Sequence, residues 1–530
     1  MTELILIISI IPLFMYIIWK INRDLHMIQL NSYRIERYIK WLVKNWGQYT
    51  AVRNFLPFFT FSLFAYLTPI QFIIIWGISY IPLVLFKIRY ESKIALKYTS
   101  RAKRLLCTII SIYVIVALVG VYIFTLSTRP TTLLLVTICL TTLTFLSFIP
   151  SIFGCVAILP LEKAIEYWYY KDAQNKILKA TNLTTIGITG SFGKTSTKFI
   201  LNEILSSFFN TLMTPQSFNT KMGVTKVVRN DLSPVHNFFI AEMGAKQKGD
   251  IKEICDLVHP KIGVLTAIGE QHLESFKSLE NICRTKLELI EALPNDGIAI
   301  LNGDDANIRN LKISNNPRKL FFGIDSKKLD YFVRNINISP QGTSFEISTY
   351  RGESATFHTK LLGKHNIYNI LAAVAVANEL GINLQLLSIQ VKKLRPAPHR
   401  LEIRKIADGI TVLDNAFSSN PVGAKMALDV LNQMEGSRKI LITPGMIELG
   451  NKEYDYNKNF GTYAANICDL IILVGQKQTI PIQDGLAVAN YPASNLYVAA
   501  DLNNASAHLR SVMKPGDVIL YENDLPDNYL

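Results

Sequence analysis

Charged residues are scarce in this chain of 530 residues. Asp, Glu, Lys and Arg together make up 18% of it, whereas 49% of the residues are hydrophobic. This balance excludes a disordered chain and is unusual for an ordinary soluble enzyme. Paired cysteine motifs are also missing, because none of the six cysteines lies in a CxxC pair or at the spacing of metal ligands. We therefore predict reduced thiols that are buried as small hydrophobic side chains.

Acidic residues are rarest in the first third of the chain. Residues 1–180 contain 7 Asp or Glu against 19 Lys or Arg, a net charge of +12, so the rest of the chain contributes only +2 to the total of +14. A basic chain can indicate nucleic-acid binding, but here the positive charge accompanies long hydrophobic runs. The pattern is typical of a membrane protein, and we predict no nucleic-acid partner.

Four apolar runs predict a multi-span helical membrane region over residues 1–160. The first run has no basic residue before it and no small-residue cleavage site, which favours an anchor over a signal peptide. A juxtamembrane helix or linker is predicted at residues 161–181, where the aromatic residues 167–170 either sit at a headgroup boundary or pack on the soluble part. The apolar runs are residues 4–19, 55–86, 105–126 and 132–160.

The basic loops predict the topology of this region. Residues 20–54 and residues 87–104 each carry seven Lys or Arg. If both loops are cytoplasmic, the run 55–86 must enter and leave on one side, as a short helical hairpin turning near Pro69. This gives about five passes with the N-terminus outside, and a four-pass model with the N-terminus inside is the alternative. Both predict a multi-pass protein of the cytoplasmic membrane with its remaining domains in the cytoplasm.

From residue 182 onward, short β-rich runs alternate with helical stretches. This alternation predicts an α/β fold with a mostly parallel sheet at residues 182–393 and an antiparallel patch near residues 317–360. The glycine-rich loop at residues 189–196 indicates that this is a P-loop-type central ATPase domain. The Pro-rich basic segment 394–400 is a plausible hinge. A Rossmann-like C-terminal α/β domain is predicted at residues 401–530.

A glycine-rich loop follows the first predicted strand and precedes a helix. Glycine lets the backbone approach a phosphate, the helix N-terminus offers free N–H groups, lysine offers a point charge and a threonine hydroxyl can bind Mg²⁺. The spacing is that of a short P-loop, since position 188 is Ile188 where the longer form needs glycine. We predict that this loop binds phosphate through Gly190, Ser191, Phe192, Gly193, Lys194, Thr195 and Ser196.

Three further polar residues follow predicted strands or lie on the next helix. Glu242 ends an apolar strand, where its carboxylate either holds Mg²⁺ near the P-loop or caps a buried strand. His272 follows the next strand in a loop, a position where a single histidine is often structural. Lys286 by itself is typical of an exposed helical lysine. The residues alone leave these roles open.

Taken in order, these segments resemble the Mur ligase family, the ATP-dependent amide-forming enzymes of peptidoglycan precursor synthesis. The similarity is greatest to the branch that adds D-alanyl-D-alanine, through residues 242–245, 419–421 and 445–450. The segments that carry the resemblance are residues 189–196, 242–245, 272–274, Lys286, residues 301–305, 363–369, 399–402 and Asp414.

The resemblance implies ATP and Mg²⁺ as cofactors and assigns a role to each site residue. Lys194 and the P-loop amides would hold the β- and γ-phosphates, with Thr195 and Glu242 at one Mg²⁺. His272 and a carbamylated Lys286 would serve a second Mg²⁺. Lys194, His272 and Lys286 are thus the predicted catalytic residues. Asn302 and Asn369 match positions associated with the adenine, and Arg400 and Asp414 match residues that reach the nucleotide when the domains close.

The implied chemistry has two steps and two substrates. The carboxylate of a peptidoglycan or other envelope precursor attacks the γ-phosphate of ATP, and an amino acid or dipeptide amine then attacks the resulting acyl phosphate. Two departures matter. The family's usual domain for the uridine-diphosphate sugar has no recognisable counterpart, and residues 517–524 replace the branch's Lys-Gly-Ser ending; residues 415–418 also depart from the branch pattern. We therefore predict a membrane-borne acceptor and a membrane lipid partner.

Two other functions are compatible with the sequence. A Mur-like ligase could build another polymer, such as a poly-γ-glutamate-type chain, with the same ATP machinery. A membrane scaffold with a degenerate nucleotide domain is the non-enzymatic alternative. The intact set of Lys194, Thr195, Glu242, His272 and Lys286 argues against the scaffold.

Overall fold

The computed structural model describes residues 2–49, 51–86, 95–127, 129–215, 218–324, 329–339, 342–416 and 420–524. These residues form two compact units, one within Met1–Tyr167 and the other comprising Trp168–Asp524. The basic residues Lys87, Arg89 and Lys93 of the predicted topology lie outside the described residues.

The first unit is helical. Two of its described helices, Ser100–Ser127 and Phe148–Lys179, are long and apolar enough to cross a membrane. Buried residues such as Leu25, Trp76 and Leu105 form a core where helices pack on one another. The helical segments that begin in this unit are Thr2–Leu30, Ile35–Lys44, Trp46–Tyr49, Val52–Phe55, Leu56–Phe59, Thr60–Tyr66, Pro69–Ile78, Ile81–Leu85, Ser100–Ser127, Pro130–Phe145 and Phe148–Lys179.

Two of the predicted apolar runs are divided, one where a single span was expected and one close to the turn predicted at Pro69. The run 132–160 is not a single helix, because a break near Ser147 separates Pro130–Phe145 from Phe148–Lys179. The run 55–86 is a series of short helical segments, and Thr68 caps the one that begins at Pro69. Segments this short do not reach the roughly 20 residues that a spanning helix needs. The four-pass and five-pass topologies therefore both stay predictions.

The second unit begins with the end of the long helix Phe148–Lys179. Gln174 Nε2 donates to the Asp256 backbone oxygen at 2.7 Å, and Arg229 Nε contacts Asp172 Oδ2 at 2.6 Å. The Arg229 guanidinium also lies 4.0 Å from the centre of the Tyr169 ring. Of the two roles predicted for the aromatic residues 167–170, packing on the α/β part is the one that the structure shows for Tyr169.

A nine-stranded sheet forms the middle domain. Its order is β2-β3-β1-β4-β5-β6-β7-β8-β9, parallel from β2 to β7 and antiparallel from β7 to β9. The predicted antiparallel patch was therefore placed slightly early, since β6 is still parallel. The strands are β1 (Thr184–Thr189), β2 (Thr211–Met213), β3 (Phe238–Glu242), β4 (Ile262–Leu265), β5 (Ile298–Asn302), β6 (Arg318–Gly323), β7 (Tyr331–Ser339), β8 (Gly342–Thr349) and β9 (Ser354–Thr359).

Helices cover both faces of this sheet. The helix Lys364–Glu379 carries an alanine- and valine-rich stretch that is buried on all sides, as expected for a helix in the middle of a core. It packs against Lys194–Leu205, the helix that follows the P-loop. The helices of the domain are Lys194–Leu205, Lys221–Asn230, Asp250–Val258, Leu273–Phe276, Leu279–Glu291, Ala306–Arg309, Lys364–Glu379 and Leu384–Lys393.

The C-terminal domain contains a six-stranded sheet of order β10-β11-β15-β12-β13-β14. All its pairs are parallel except the edge pair β10–β11. The prediction of an α/β fold with largely parallel sheets is thus confirmed. The strands are β10 (Glu402–Lys405), β11 (Thr411–Asn415), β12 (Lys439–Thr443), β13 (Leu470–Val474), β14 (Leu496–Ala499) and β15 (Val518–Glu522); the α-helices are Pro421–Gln433, Glu453–Ala465, Ile480–Val488 and Leu502–Val512, with 3₁₀ turns at Ala407–Gly409, Gly450–Lys452 and Ala493–Asn495.

Candidate functional site

The P-loop joins β1 to the helix Lys194–Leu205 by a tight turn. Gly193 has φ 84°, a left-handed conformation that favours glycine, and a Cβ there would lie 2.7 Å from Asn369 Oδ1. A Cβ at Gly190 would meet Thr266 Oγ1 at 2.0 Å. The backbone is also tied to the next strand end, because Ser191 N donates to the Ala267 oxygen at 2.7 Å. The glycines are therefore required by close packing as well as by backbone conformation.

Lys194 is folded back over its own loop. Its Nζ donates to the backbone oxygen of Gly190 at 2.7 Å and to that of Ser191 at 3.3 Å. Burial lowers the pKa of Lys194 to about 8, with Glu242 opposing this effect and Arg400 adding to it. An anion entering the loop would give this ammonium group a stronger partner than the two carbonyls.

The pocket beside the P-loop, here the polar pocket, contains groups from both domains. The middle domain contributes the P-loop and the ends of its central strands, and the C-terminal side contributes two residues that follow Lys393. Lining residues include Lys194, Thr195, Glu242, His272, Arg400 and Asn420. Three of the four predicted metal ligands therefore share one pocket.

Glu242 lies at the end of β3, where two residues hold its carboxylate. Lys198 Nζ donates to Oε2 at 3.0 Å, and Asn219 Nδ2 donates to Oε1 at 3.0 Å. Burial alone would raise the pKa of Glu242, but Lys198, Lys194 and the hydrogen bond from Asn219 outweigh it and lower the pKa. The carboxylate is therefore an anionic oxygen group in a fixed orientation, which could hold a metal ion.

His272 precedes the short helix Leu273–Phe276 and has φ 52°. Its Nδ1 lies 2.5 Å from Oε2 of Glu448, a residue of the C-terminal domain. Burial lowers the pKa of His272, although Glu448 acts in the opposite direction. A neutral imidazole is the form that binds metal ions.

Lys286 is buried in the helix Leu279–Glu291, with 3% of its surface exposed. This differs from the exposed lysine that its sequence position alone would suggest. Burial, together with the positive charge of Lys194, lowers the pKa of Lys286 well below its ordinary value. A lowered pKa favours the neutral amine, which is the form that reacts with CO₂ to give the predicted carbamate.

A second pocket, here the aromatic pocket, adjoins the first. Asn302, Asn369 and Arg400 line it, together with Phe192, Phe322 and Tyr368. Asn302 Nδ2 donates to the Thr266 oxygen at 2.8 Å, and Thr197 Oγ1 donates to Asn369 Oδ1 at 3.2 Å. Flat apolar rings with a few amide groups can hold a nucleobase. The structure thus brings both predicted adenine residues to the pocket.

Asp414, which is predicted to reach the nucleotide when the domains close, pairs with residues near the hinge. Its Oδ2 lies 2.7 Å from His399 Nδ1 and 3.4 Å from an Arg404 nitrogen. Its neighbour Asn415 is the residue that lines the aromatic pocket. Successive residues of a strand point to opposite faces, so a one-residue difference reverses the direction of a side chain. In the described structure, Asp414 supports the hinge-side histidine and arginine.

Several site residues were missed by sequence reasoning. Lys198 is one helical turn after Lys194, and this spacing was an available signal for a second cation on the same helix face. Asn219 and Glu448 gave no comparable signal, because each reaches the site from a different loop. Other residues that line the two pockets and were not predicted include Gln271, His365, Tyr368, Asn415 and Asn420.

Both domains match models of a known protein family. Residues 188–377 match the Mur ligase middle domain, and residues 399–521 match the Mur ligase, glutamate ligase domain. The chain is 30% identical over 366 residues to the UDP-N-acetylmuramoyl-tripeptide--D-alanyl-D-alanine ligase of Mycobacterium bovis, which is 65% of this chain and 71% of that protein.

The ligase of the same name from Bacillus subtilis is 32% identical over 287 residues, 54% of this chain and 61% of that protein. The chain spans a little over three fifths of this relative and of those from Buchnera aphidicola and Escherichia coli.

Solved structures agree with these matches. MurF from Acinetobacter baumannii superposes with a TM-score of 0.61 at 26% identity, covering 69% of this chain and 78% of that one. The MurF ligase of Thermotoga maritima in complex with ADP gives a TM-score of 0.60 at 24% identity, covering 68% and 80%. At this identity the second structure supports the fold alone.

Proposed function

Since this chain belongs to the Mur ligase family, we propose that it is an ATP-dependent, ADP-forming ligase that makes an amide bond on a peptidoglycan precursor. The observation that carries the proposal is the polar pocket, where Lys194, Thr195, Glu242 and His272 meet Arg400 from beyond the hinge. The relatives named above join D-alanyl-D-alanine to a UDP-N-acetylmuramoyl tripeptide, according to their names. We propose the same reaction class for this chain.

In the first step, the precursor carboxylate attacks the γ-phosphate and ADP leaves. The P-loop N–H groups and the Lys194 ammonium group stabilise the charge on the transferring oxygens. Arg400 adds a second cation from the other side of the pocket. In the second step, an amine attacks the acyl phosphate, the amide forms and phosphate leaves. Water would hydrolyse the intermediate, so the two domains must exclude solvent around it.

The residues present fit a divalent metal. Glu242 is an anionic oxygen donor, Thr195 offers a hydroxyl and His272 a neutral imidazole, all at one pocket. Lys286, which interacts electrostatically with Lys194 and Glu242, would add another anionic oxygen as its carbamate. When bound, Mg²⁺ would draw negative charge away from the β- and γ-phosphates. This donor set, rich in oxygen, suits Mg²⁺ better than a softer metal.

The activity test uses the purified full chain in detergent micelles with ATP, Mg²⁺, a UDP-linked muramoyl tripeptide and D-alanyl-D-alanine. We expect phosphate release that depends on both organic substrates and a product heavier by the dipeptide less one water. The matched control for the variant Lys194→Ala is Lys425→Ala, because Lys425 is an exposed lysine of the C-terminal domain. Phosphate release without any amide product would contradict the proposed ligase activity. ATP hydrolysis that is unchanged in Lys194→Ala would favour the scaffold alternative instead.

We further propose that the acceptor is carried by a membrane lipid. The support is the apolar helical unit that precedes the matched domains, in a chain covering about three fifths of several curated relatives. Parallel assays with a soluble nucleotide-linked tripeptide and its lipid-linked equivalent would decide between the two sources. We expect faster turnover of the lipid-linked substrate. Faster turnover of the soluble substrate would refute the proposal, and turnover only of glutamate donors would favour a poly-γ-glutamate-type ligase.

A further inference from the structure

The carboxylate of Glu448, a residue of the C-terminal domain, lies between a histidine and a lysine of the middle domain. Glu448 Oε2 is 2.5 Å from His272 Nδ1, and Glu448 Oε1 is 3.1 Å from Lys246 Nζ. Glu448 follows β12 in a loop and has φ 63°, an uncommon conformation for a residue with a Cβ. Backbone strain of this kind persists where the surrounding contacts require it.

The position of His272 in the polar pocket connects this contact to metal binding. His272 lines the polar pocket together with Lys194, Thr195 and Glu242, and Glu448 contacts its imidazole at Nδ1. A carboxylate can only accept at this position, so the ring proton is on Nδ1. The lone pair is then on Nε2, the nitrogen that remains for a metal ion in the pocket.

We propose that Glu448 is a positioning residue that holds His272 in its metal-binding tautomer and orientation, and that the C-terminal domain supplies it only on closure. Histidines that bind metals generally donate their second N–H to a carboxylate or carbonyl, which fixes the ring and increases its basicity. Here the carboxylate belongs to the other domain. This inference rests on the proposed function, because it needs a nucleotide and a divalent metal in the polar pocket.

The arrangement links metal binding to domain closure. Before closure, the imidazole of His272 can rotate and change tautomer, and the second metal position is incomplete. After closure, Glu448 orders the ring at the moment when the pocket is shielded from water. The second metal position would thus become complete only when the C-terminal domain is in place.

A neighbouring contact provides the matched comparison. Lys452 Nζ pairs with Glu270 at 2.7 Å, and Tyr456 Oη donates to the same carboxylate at 2.5 Å. These groups join the same two domains but do not touch His272. If Glu448 only held the domains together, Lys246→Met and Lys452→Ala would reproduce its effect. If it orients His272, they would not.

The test uses Mn²⁺ as the probe, with a non-hydrolysable ATP analogue and the full chain in detergent micelles. Free Mn²⁺ is counted by electron paramagnetic resonance, and pulsed spectra report nitrogen coupled to the bound ion. For Glu448→Ala we expect about tenfold weaker binding of the second Mn²⁺ and a reduced nitrogen signal, at the lower end of what outer-shell changes cost. Glu448→Gln keeps an acceptor oxygen and should retain most of the signal.

The first Mn²⁺, held by Thr195 and Glu242, is an internal control for folding and should be unaffected. Lys246→Met and Lys452→Ala should weaken the second Mn²⁺ by less than about fivefold and leave its nitrogen signal intact. Glu448→Ala with an unchanged second site and signal would overturn the positioning role. Lys246→Met as damaging as Glu448→Ala would also overturn it. Wild-type protein that binds neither Mn²⁺ nor the ATP analogue would instead overturn the proposed function itself.

Discussion

The two sides of the polar pocket are built differently. On the middle-domain side, Lys194 and Glu242 are held by partners of the same domain, as Lys198 and Asn219 hold Glu242, and His272 is the exception because its partner is Glu448. On the C-terminal side, the groups come from loops. Arg400 lies between two residues in left-handed conformations, with φ 56° and 50°, and Glu448 is itself left-handed.

This difference separates a preformed binding site from its closing partner. The middle domain has its P-loop geometry and its Glu242 contacts without any help from the C-terminal domain. The C-terminal groups depend on strained loops, which are common where a segment must adopt one functional arrangement. Variants on the middle-domain side should therefore affect nucleotide binding and stability, whereas those on the other side should affect closure.

The largest effect is expected for Lys194→Ala. Removing a cation directed at the transferring phosphate should lower ATP-dependent phosphate release by about 10²–10³-fold, as for the loss of one charge-stabilising donor elsewhere. Initial rates at saturating ATP measure this effect. Lys425→Ala, with its i,i+4 partner Asp429 in the same helix, is the control. Retention of more than half of the activity in Lys194→Ala would show that the P-loop lysine does not take part in the mechanism.

Lys198→Met tests whether the middle-domain side is preformed. Breaking a buried ion pair from one end leaves the Glu242 carboxylate uncompensated and should cost about 3 kcal/mol of stability. The side chains of Lys198 and Glu242 are 0% and 1% exposed, so solvent cannot replace the lost partner. Thermal unfolding of the full chain would show a lower midpoint. The double variant with Glu242→Gln should recover part of the loss; no recovery would contradict a direct pairing.

The pH dependence of ATP binding tests the protonation state of Lys194. Its pKa is lowered to about 8, so the ammonium form predominates at pH 7 and is lost as the pH rises through 8. Since the ammonium form binds phosphate, the affinity for an ATP analogue should fall about tenfold from pH 7 to pH 9. Calorimetry at pH 8.5 in two buffers of different ionisation enthalpy should detect proton uptake. Proton release would contradict the assignment.

The smallest effect is expected for Lys452→Ala on the closing side. The Lys452 side chain is 56% exposed, and an exposed pair of this kind contributes up to about 1 kcal/mol. Fluorescence energy transfer between dyes on the two domains should show a modest shift toward the open form, and the shift should shrink at high salt because screening already weakens the pair. If Lys452→Ala lowered the free energy of unfolding as much as Lys198→Met does, the proposed difference between the two sides would be wrong.

The middle-domain side could be predicted largely from sequence. The P-loop residues and Glu242 lie directly after predicted strands, and the carboxyl ends of parallel strands meet at one edge of a sheet. The C-terminal side could not be predicted as well. The role of Asp414 at the nucleotide stays a prediction, and the neighbouring Asn415, which was not predicted, lines the aromatic pocket. Glu448 lies 176 residues from His272 in the chain, so no local pattern connects them.

Local chemistry determined which segments form strands, where the phosphate loop lies and which residues could bind a metal. These properties follow from neighbouring residues, because hydrophobic periodicity, glycine content and helix starts each depend on a short stretch of sequence. Tertiary structure decided that Lys286 is buried, that Lys198 neutralises Glu242 and that Glu448 reaches His272. The environment of a titratable group depends on residues that are distant in the chain, and only the folded protein brings them within a few ångströms.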